Sequence, residues 1–466
     1  MSKEIFDEAL AQISDKHITE AANTKKRRPV WLGAAAAALA LVILVTALVS
    51  PSAGASGLIA EPELPKMAPY PSSLLGWDYN EKEYEAWQNS QDAQYDQPAG
   101  YADSLQSYFT ESIPVLLAAN GTENTVCSPV NVYMALAMLA ECTDGSSRQQ
   151  ILDLLNAGSI NKLRTQAGYV WNAHYCDDSA STSLLANSLW LQDGYSYNTE
   201  TVNTLASHYY ASVYQGTLGS DKMNKALQSW LNDNTGGLLK EQASRMELPA
   251  QTVLALASTV YYRAKWVDTF VEGNTKQDVF HSPDGAVTCD FMNRTLTYGP
   301  YYYGEDFGAV RLGLEDGGAM WLVLPDEGCT PADLLESGHA ITAVLQSRQA
   351  QSASVKVHLS LPKFDVAASR ELSEGLKALG VTDVFESADF SPITDYPDIW
   401  LDRVDHAARV KIDEEGVEAA AYTVMAACGA PMPPEEEIYF TLDRPFLFVI
   451  TSRDELPLFA GIVNNP

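Results

Sequence analysis

From Val30 to Val49 the chain runs for twenty residues with Thr46 as its only polar side chain. A run of that kind must be withdrawn from water. At a helical rise of about 1.5 Å per residue it would span roughly 30 Å, the thickness of a bilayer's hydrocarbon core. Residues 1 to 28 are polar and end in the basic cluster Lys25-Lys-Arg-Arg28. Basic residues next to an apolar run favour the cytoplasmic side. The expectation is a cytoplasmic segment over 1–28, a single transmembrane anchor over 29–50, and the remainder outside the cell membrane. The alternative is a cleaved signal sequence with Ala53-Gly-Ala55 as its cleavage site, which would leave a secreted protein.

Residues 51–101 carry Pro51, Pro62, Pro65, Pro69, Pro71 and Pro98 among several Tyr and Gln, without sustained periodicity. They read as a flexible linker. Residues 102–466 remain as one large domain with ample length for a core. The formal charge is −30, and residues 1 to 50 hold six Lys/Arg against five Asp/Glu, so the rest carries −31. Nucleic acid is thereby disfavoured as a partner. An acidic surface speeds encounter with cationic proteins, and it also simply solubilises an exported chain.

Apolar residues Leu105, Tyr108, Phe109, Ile113 and Leu116 recur at helical spacing over 104–117, with Pro114 as a candidate kink. Short runs rich in branched and aromatic residues, 255–262, 320–325 and 446–450, read as buried strands. The fold class is α+β. All six cysteines lie beyond the apolar run without metal-site spacing, and Cys127 and Cys142 sit in apolar segments as buried free thiols. The sequence lacks G-x-S-x-G, H-E-x-x-H and a phosphate-binding G-x-x-x-x-G-K-[ST]. No enzyme activity, metal or other cofactor is indicated.

Near the C-terminus, an acidic turn leads into the small residues of 413–427 and then Pro431, Pro433 and Pro434. At period two, Val417, Ala419, Ala421, Thr423 and Met425 fall on one largely apolar face, with Glu418, Ala420, Tyr422 and Val424 on the other. The same residues also read acceptably as a surface helix.

Three segments in order, Lys411-Ile-Asp-Glu-Glu-Gly-Val-Glu-Ala-Ala-Ala421, Asp443-Arg-Pro-Phe446 and Leu458-Phe-Ala-Gly461, resemble the serpin family of protease inhibitors. The resemblance continues upstream through 124–139, 228–237, 252–266, 361–365 and 388–394. It covers roughly 102–466 and implies the serpin fold: helices around three β-sheets with an exposed reactive-centre loop. In that family a protease cuts the loop, and the cut loop inserts into the central sheet before the covalent intermediate is hydrolysed.

By position, the resemblance makes Glu414 and Glu415 the acidic pair before the hinge, Gly416 the hinge, and Val417, Glu418, Ala419, Ala420, Ala421 and Tyr422 the part that enters first. Counting from Gly416 puts the reactive bond at Ala430-Pro431. Proline after the cut lacks an amide hydrogen, so Cys428-Gly429 is the chemically preferable neighbour. Trp266 corresponds to the breach tryptophan. Beneath the sheet, Ser128 and His406 match the family's shutter, but Asn131 stands where a serine is usual and Ser258 where an asparagine is usual. The two polar types have exchanged places, and the expectation is that Asn131 and Ser258 still bond.

No Lys or Arg lies between Lys411 and Arg444. The implied function is an irreversible suicide-substrate inhibitor of serine proteases with a small apolar pocket, elastase-like or subtilisin-like. Its partner would be the target protease, held covalently by a monomeric, membrane-anchored inhibitor of bacterial type. The alternative is a non-inhibitory serpin acting as a binding protein or sacrificial substrate.

Overall fold

The computed structural model describes residues 37–47, 57–71, 80–118, 122–178, 181–347, 352–386, 388–417 and 436–466. All of them belong to one compact unit, residues 35–466.

The strands are β1 Ala37–Ala47, β2 Gly57–Ala60, β3 Thr125–Cys127, β4 Cys176–Asp177, β5 Thr182–Gln192, β6 Ala211–Gly216, β7 Thr252–Lys265, β8 Lys276–Ser282 and β9 Gly285–Tyr303. They continue as β10 Phe307–Gly313, β11 Ala319–Pro325, β12 Ser352–Pro362, β13 Asp365–Glu371, β14 Ile399–Lys411, β15 Gly416–Val417, β16 Glu437–Thr441, β17 Phe446–Thr451 and β18 Pro457–Val463. The helices include α1 Glu81–Tyr95, α2 Leu105–Leu117 and α3 Pro129–Cys142.

The central sheet has the order β13-β14-β1-β7-β5-β6-β2, with β15 also on β7 and β4 on β5. β7 lies in its middle. Residues 252–260 of this strand are all buried, so it shows no alternation there, as a strand covered on both faces requires. Beneath the sheet runs α3, every residue of which is buried. Its start is written in the sequence: the Ser128 side chain accepts from the Asn131 amide at 3.2 Å, and Pro129 fills the first helical position. The expected helix over 104–117 is α2, and Pro114 sits inside it without ending it. Burial of Leu105, Tyr108 and Phe109 before the proline and Ile113, Leu116 and Leu117 around and after it holds both halves on the core.

The second network has the order β16-β12-β9-β10-β11-β17-β18-β3, with β8 on β9. Where three sheets are expected, hydrogen bonding among the described residues therefore links two networks. The cause is β9, which pairs successively with β8, β12 and β10 along its 19 residues and so joins two sheets into one.

Two expectations at the N-terminal side are corrected. Among the described residues no helix is long and apolar enough to cross a membrane. Residues 37–47 of the apolar run are instead strand β1, antiparallel to both β14 and β7. The backbone of an apolar segment must find all its hydrogen bonds, and two flanking strand edges offer a ladder on either side as complete as a helix offers internally. Val and Ile in Leu39-Ala-Leu-Val-Ile-Leu-Val45 suit the extended form. The membrane anchor and the cell-membrane localisation built on it are withdrawn.

The linker expected over 51–101 contains β2, paired with β6 on the sheet edge, and α1. α1 is tied down by Trp87 Nε1 donating to Asp178 Oδ2 at 2.9 Å, by Tyr70 against Trp87 at 5.2 Å, and by Arg453 over the Tyr95 ring at 4.8 Å. Asn80 caps it through the Lys82 amide. Of the prolines that suggested a linker, five precede the helix and Pro98 follows it; none interrupts it.

Candidate functional site: the sheet opening and the loop hinge

β14 ends at Lys411, and after four intervening residues the chain returns as β15. The turn between them is built by its own acidic residues. Asp413 Oδ1 accepts from the amides of Glu415 at 3.0 Å and Gly416 at 3.3 Å, while the Asp413 amide donates to the Gly416 carbonyl at 3.1 Å. This is an Asx-type turn closed on both sides. Trp266, 1% exposed, secures it from the end of β7: its indole Nε1 donates to the Asp413 carbonyl at 2.9 Å and its amide to the Glu415 carbonyl at 3.1 Å. Phe270, edge-on to Trp266, donates its amide to the Glu414 carbonyl at 2.8 Å.

Glu414 is buried, with one carboxylate oxygen on Lys363 Nζ at 2.8 Å and the other on Thr275 Oγ1 at 2.7 Å. Burial alone would push its pKa up; the hydrogen bonds from Lys363 and Thr275 outweigh it, and the net shift is downward. Glu415 differs. Burial, with the Asp413 charge beside it, raises its pKa. The acidic pair thus has two roles, one anchored carboxylate and one held under charge stress.

Gly416 is dictated by space. A Cβ there would lie 2.5 Å from the Ala264 carbonyl oxygen and 2.7 Å from the Lys265 Cα, both backbone atoms. Gly416 pairs with Lys265 and the fully buried Val417 with Ala264, antiparallel. Since β14 hands over to β15 within four residues, β15 lies on the edge of β7 that faces β14. Glu418, Ala419, Ala420, Ala421 and Tyr422, and the reactive-bond candidates Cys428, Gly429, Ala430 and Pro431, lie outside the described residues.

Deeper in the sheet, the structure brings Ser128, Asn131, Ser258 and His406 together, none more than 2% exposed. Asn131 Nδ2 donates to Ser258 Oγ at 2.9 Å, and the Ser128 amide donates to His406 Nε2 at 3.3 Å. The exchanged pair meets directly. His406 bonds the backbone at the helix start rather than a partner on β7, because β1 lies between: Leu41 is opposite Ser258 on one side and His406 on the other. Burial, aided by Arg370, lowers the His406 pKa to about 3, so the imidazole is neutral and its Nε2 an acceptor.

Sequence reasoning did not single out Asp413, Lys363, Thr275 or Phe270. Lys363 was visible only as part of the segment 361–365, and its partner Glu414 is distant in sequence. Among the described residues no group of His, Cys, Asp and Glu gathers as a metal ion would need, and the five cysteines among them, of six in the sequence, are free.

The Serpin (serine protease inhibitor) family profile matches residues 108–466. A serpin-like protein of Thermococcus kodakarensis is 29% identical over 368 residues, 77% of this chain and 84% of that protein. Leukocyte elastase inhibitor A of Mus musculus is 28% identical over 370 residues, covering 76% and 97%. The native-state crystal structure of the thermophilic serpin tengpin superimposes with a TM-score of 0.69 at 22% identity, over 80% of this chain and 95% of that one. The α+β fold and this coverage agree, and the chain belongs to the serpin family of serine protease inhibitors.

Proposed function

We propose that this chain is an irreversible suicide-substrate inhibitor of serine proteases with small apolar primary specificity, elastase-like or subtilisin-like. The observation that carries the reading is β15, where the chain just before the reactive loop already lies antiparallel on β7. A cut loop would extend this pairing along β7 wherever the edge beyond Ala264 is open.

In the first step the protease serine oxygen attacks the scissile carbonyl, its proton passing through the protease's base to the departing amine. An ester joins the two proteins. Insertion of the freed arm into the central sheet then carries the protease away before water cleaves the ester. Reactive-bond candidates Cys428-Gly429 and Ala430-Pro431 offer no basic side chain, and none occurs between Lys411 and Arg444. An acidic specificity pocket has nothing to grip. Similarity to an elastase inhibitor supports the same class of target.

Incubation with elastase, subtilisin and trypsin followed by a denaturing gel tests this. Expected is a boiling-resistant band of combined mass with elastase or subtilisin and none with trypsin. A trypsin adduct alone would overturn the specificity, and nicking without any adduct, by the unaltered chain and equally by full-length Leu41→Asp/Ile43→Asp in which β1 is disrupted, would overturn inhibition. One observation favours the second reading, a non-inhibitory serpin cut as a sacrificial substrate: β1 already fills the space between β7 and β14.

A further inference from the structure

The two strands that must part for an inserting loop are β7, which carries β15, and β14, which leads to it. They are not neighbours in this sheet. β1 runs between them, opposite residues 262 to 252 of β7 and 409 to 399 of β14.

Register shows how closely β1 takes the loop's place. Gly416 is opposite Lys265 and Val417 opposite Ala264, so each further loop residue steps one residue back along β7. Ala419 would stand opposite Tyr262 and Ala427 opposite Leu254. Those positions are taken by Ala37 and Val45, in unbroken register and in the same antiparallel direction. The occupied stretch reaches to within one residue of Cys428, the first of the candidate cleavage sites.

Chain geometry independently accommodates this placement. β1 is level with Leu254 at Val45, Leu254 is opposite Leu191, Leu191 is opposite Gln215, and Gln215 is opposite Gly57, the first residue of β2. The chain therefore leaves β1 and re-enters the sheet at one end, four strands across, about 19 Å. The intervening residues 48–56 reach about 30 Å when extended.

We propose that β1 is a built-in occupant of the reactive loop's insertion lane, which holds the intact chain unarmed until β1 is withdrawn. Sequence favours the occupant. Leu39-Ala-Leu-Val-Ile-Leu-Val45 is a stronger strand former than Ala421-Tyr-Thr-Val-Met-Ala-Ala427, the sequence that would fall at the same register positions on insertion. While β1 is seated, a cut loop finds no free edge and the protease escapes by hydrolysis. Once β1 leaves, by proteolysis between β1 and β2 or by capture of its apolar run elsewhere, the lane opens. This rests on the inhibitory reading above, but part of its test does not.

Hydrogen exchange on the unaltered full chain is the first measurement. Amides 38–46 should be protected to the same degree as those of β7 facing them; exchange at the rate of an unstructured segment would overturn the proposal. The second compares the full chain with full-length Leu41→Asp/Ile43→Asp, which makes β1 unfit for a central strand. Uptake of a synthetic peptide with the sequence 417–427, read as a rise in Tm, is expected for the variant and not for the unaltered chain. That readout needs no protease, so it stands even if inhibition fails. Equal uptake by both chains would overturn the occupant. With elastase, the variant's ratio of covalent adduct to nicked product should exceed the unaltered chain's by about tenfold or more; an equal, high adduct yield from the unaltered chain would overturn it as well.

Discussion

At the site, the identity of Gly416 is fixed by the surrounding backbone. Gly416→Val would drive its Cβ into the Ala264 carbonyl and lift β15 from β7. We expect a loss of about 1–3 kcal/mol in urea unfolding and a marked fall in covalent adduct yield. Asn131→Ala and Ser258→Ala should each cost about 1–3 kcal/mol by stranding a buried partner, while the double variant should cost clearly less than their sum. Additive losses would show that the two side chains do not act as a pair.

His406 supplies a pH dependence. Its folded pKa lies below its unfolded value, so the unfolded chain binds a proton first as pH falls. The contribution is complete above about pH 6.5 and is lost toward pH 3, at up to about 1.4 kcal/mol per pH unit. Unfolding curves of the native chain and His406→Gln should therefore diverge at neutral pH and converge as acid is added. The exchange of Asn131 and Ser258 was legible in sequence because it appears against a known pattern. The capture of Glu414 by Lys363 and Thr275 was not, since it depends on three segments meeting in space.

At the level of elements, β7, β11 and β17 were readable as short apolar runs rich in branched and aromatic residues, α2 by its helical spacing, and α3 only through the resemblance over 124–139. β1 and α1 were misread for opposite reasons. An unbroken apolar run has no periodicity to distinguish helix from strand, and only the presence of two flanking strand edges decides it. α1 is short of apolar residues and buries only Gln94 fully, so it has the composition of a linker and is held by side-chain contacts instead. Trp87→Ala removes the hydrogen bond to Asp178 and the ring contact with Tyr70. We expect about 1–3 kcal/mol of destabilisation and faster proteolysis between residues 60 and 100, measured by limited digestion.

For the molecule as a whole, the charge of −30 acts at a distance. Adduct formation with a cationic target protease should slow by about tenfold between low salt and 0.5 M salt, measured by stopped-flow competition with a chromogenic substrate. The completed central sheet has a different consequence. Were β7 and β14 separated by empty space, each would present a row of unsatisfied amides and carbonyls to any passing extended segment, and the reactive loop of a second molecule is such a segment. A partner strand belonging to the same chain is always at hand and covers both rows. Concentrated or warmed samples of the intact protein should thereby resist head-to-tail linkage into chains of molecules, with β1 seated between β7 and β14.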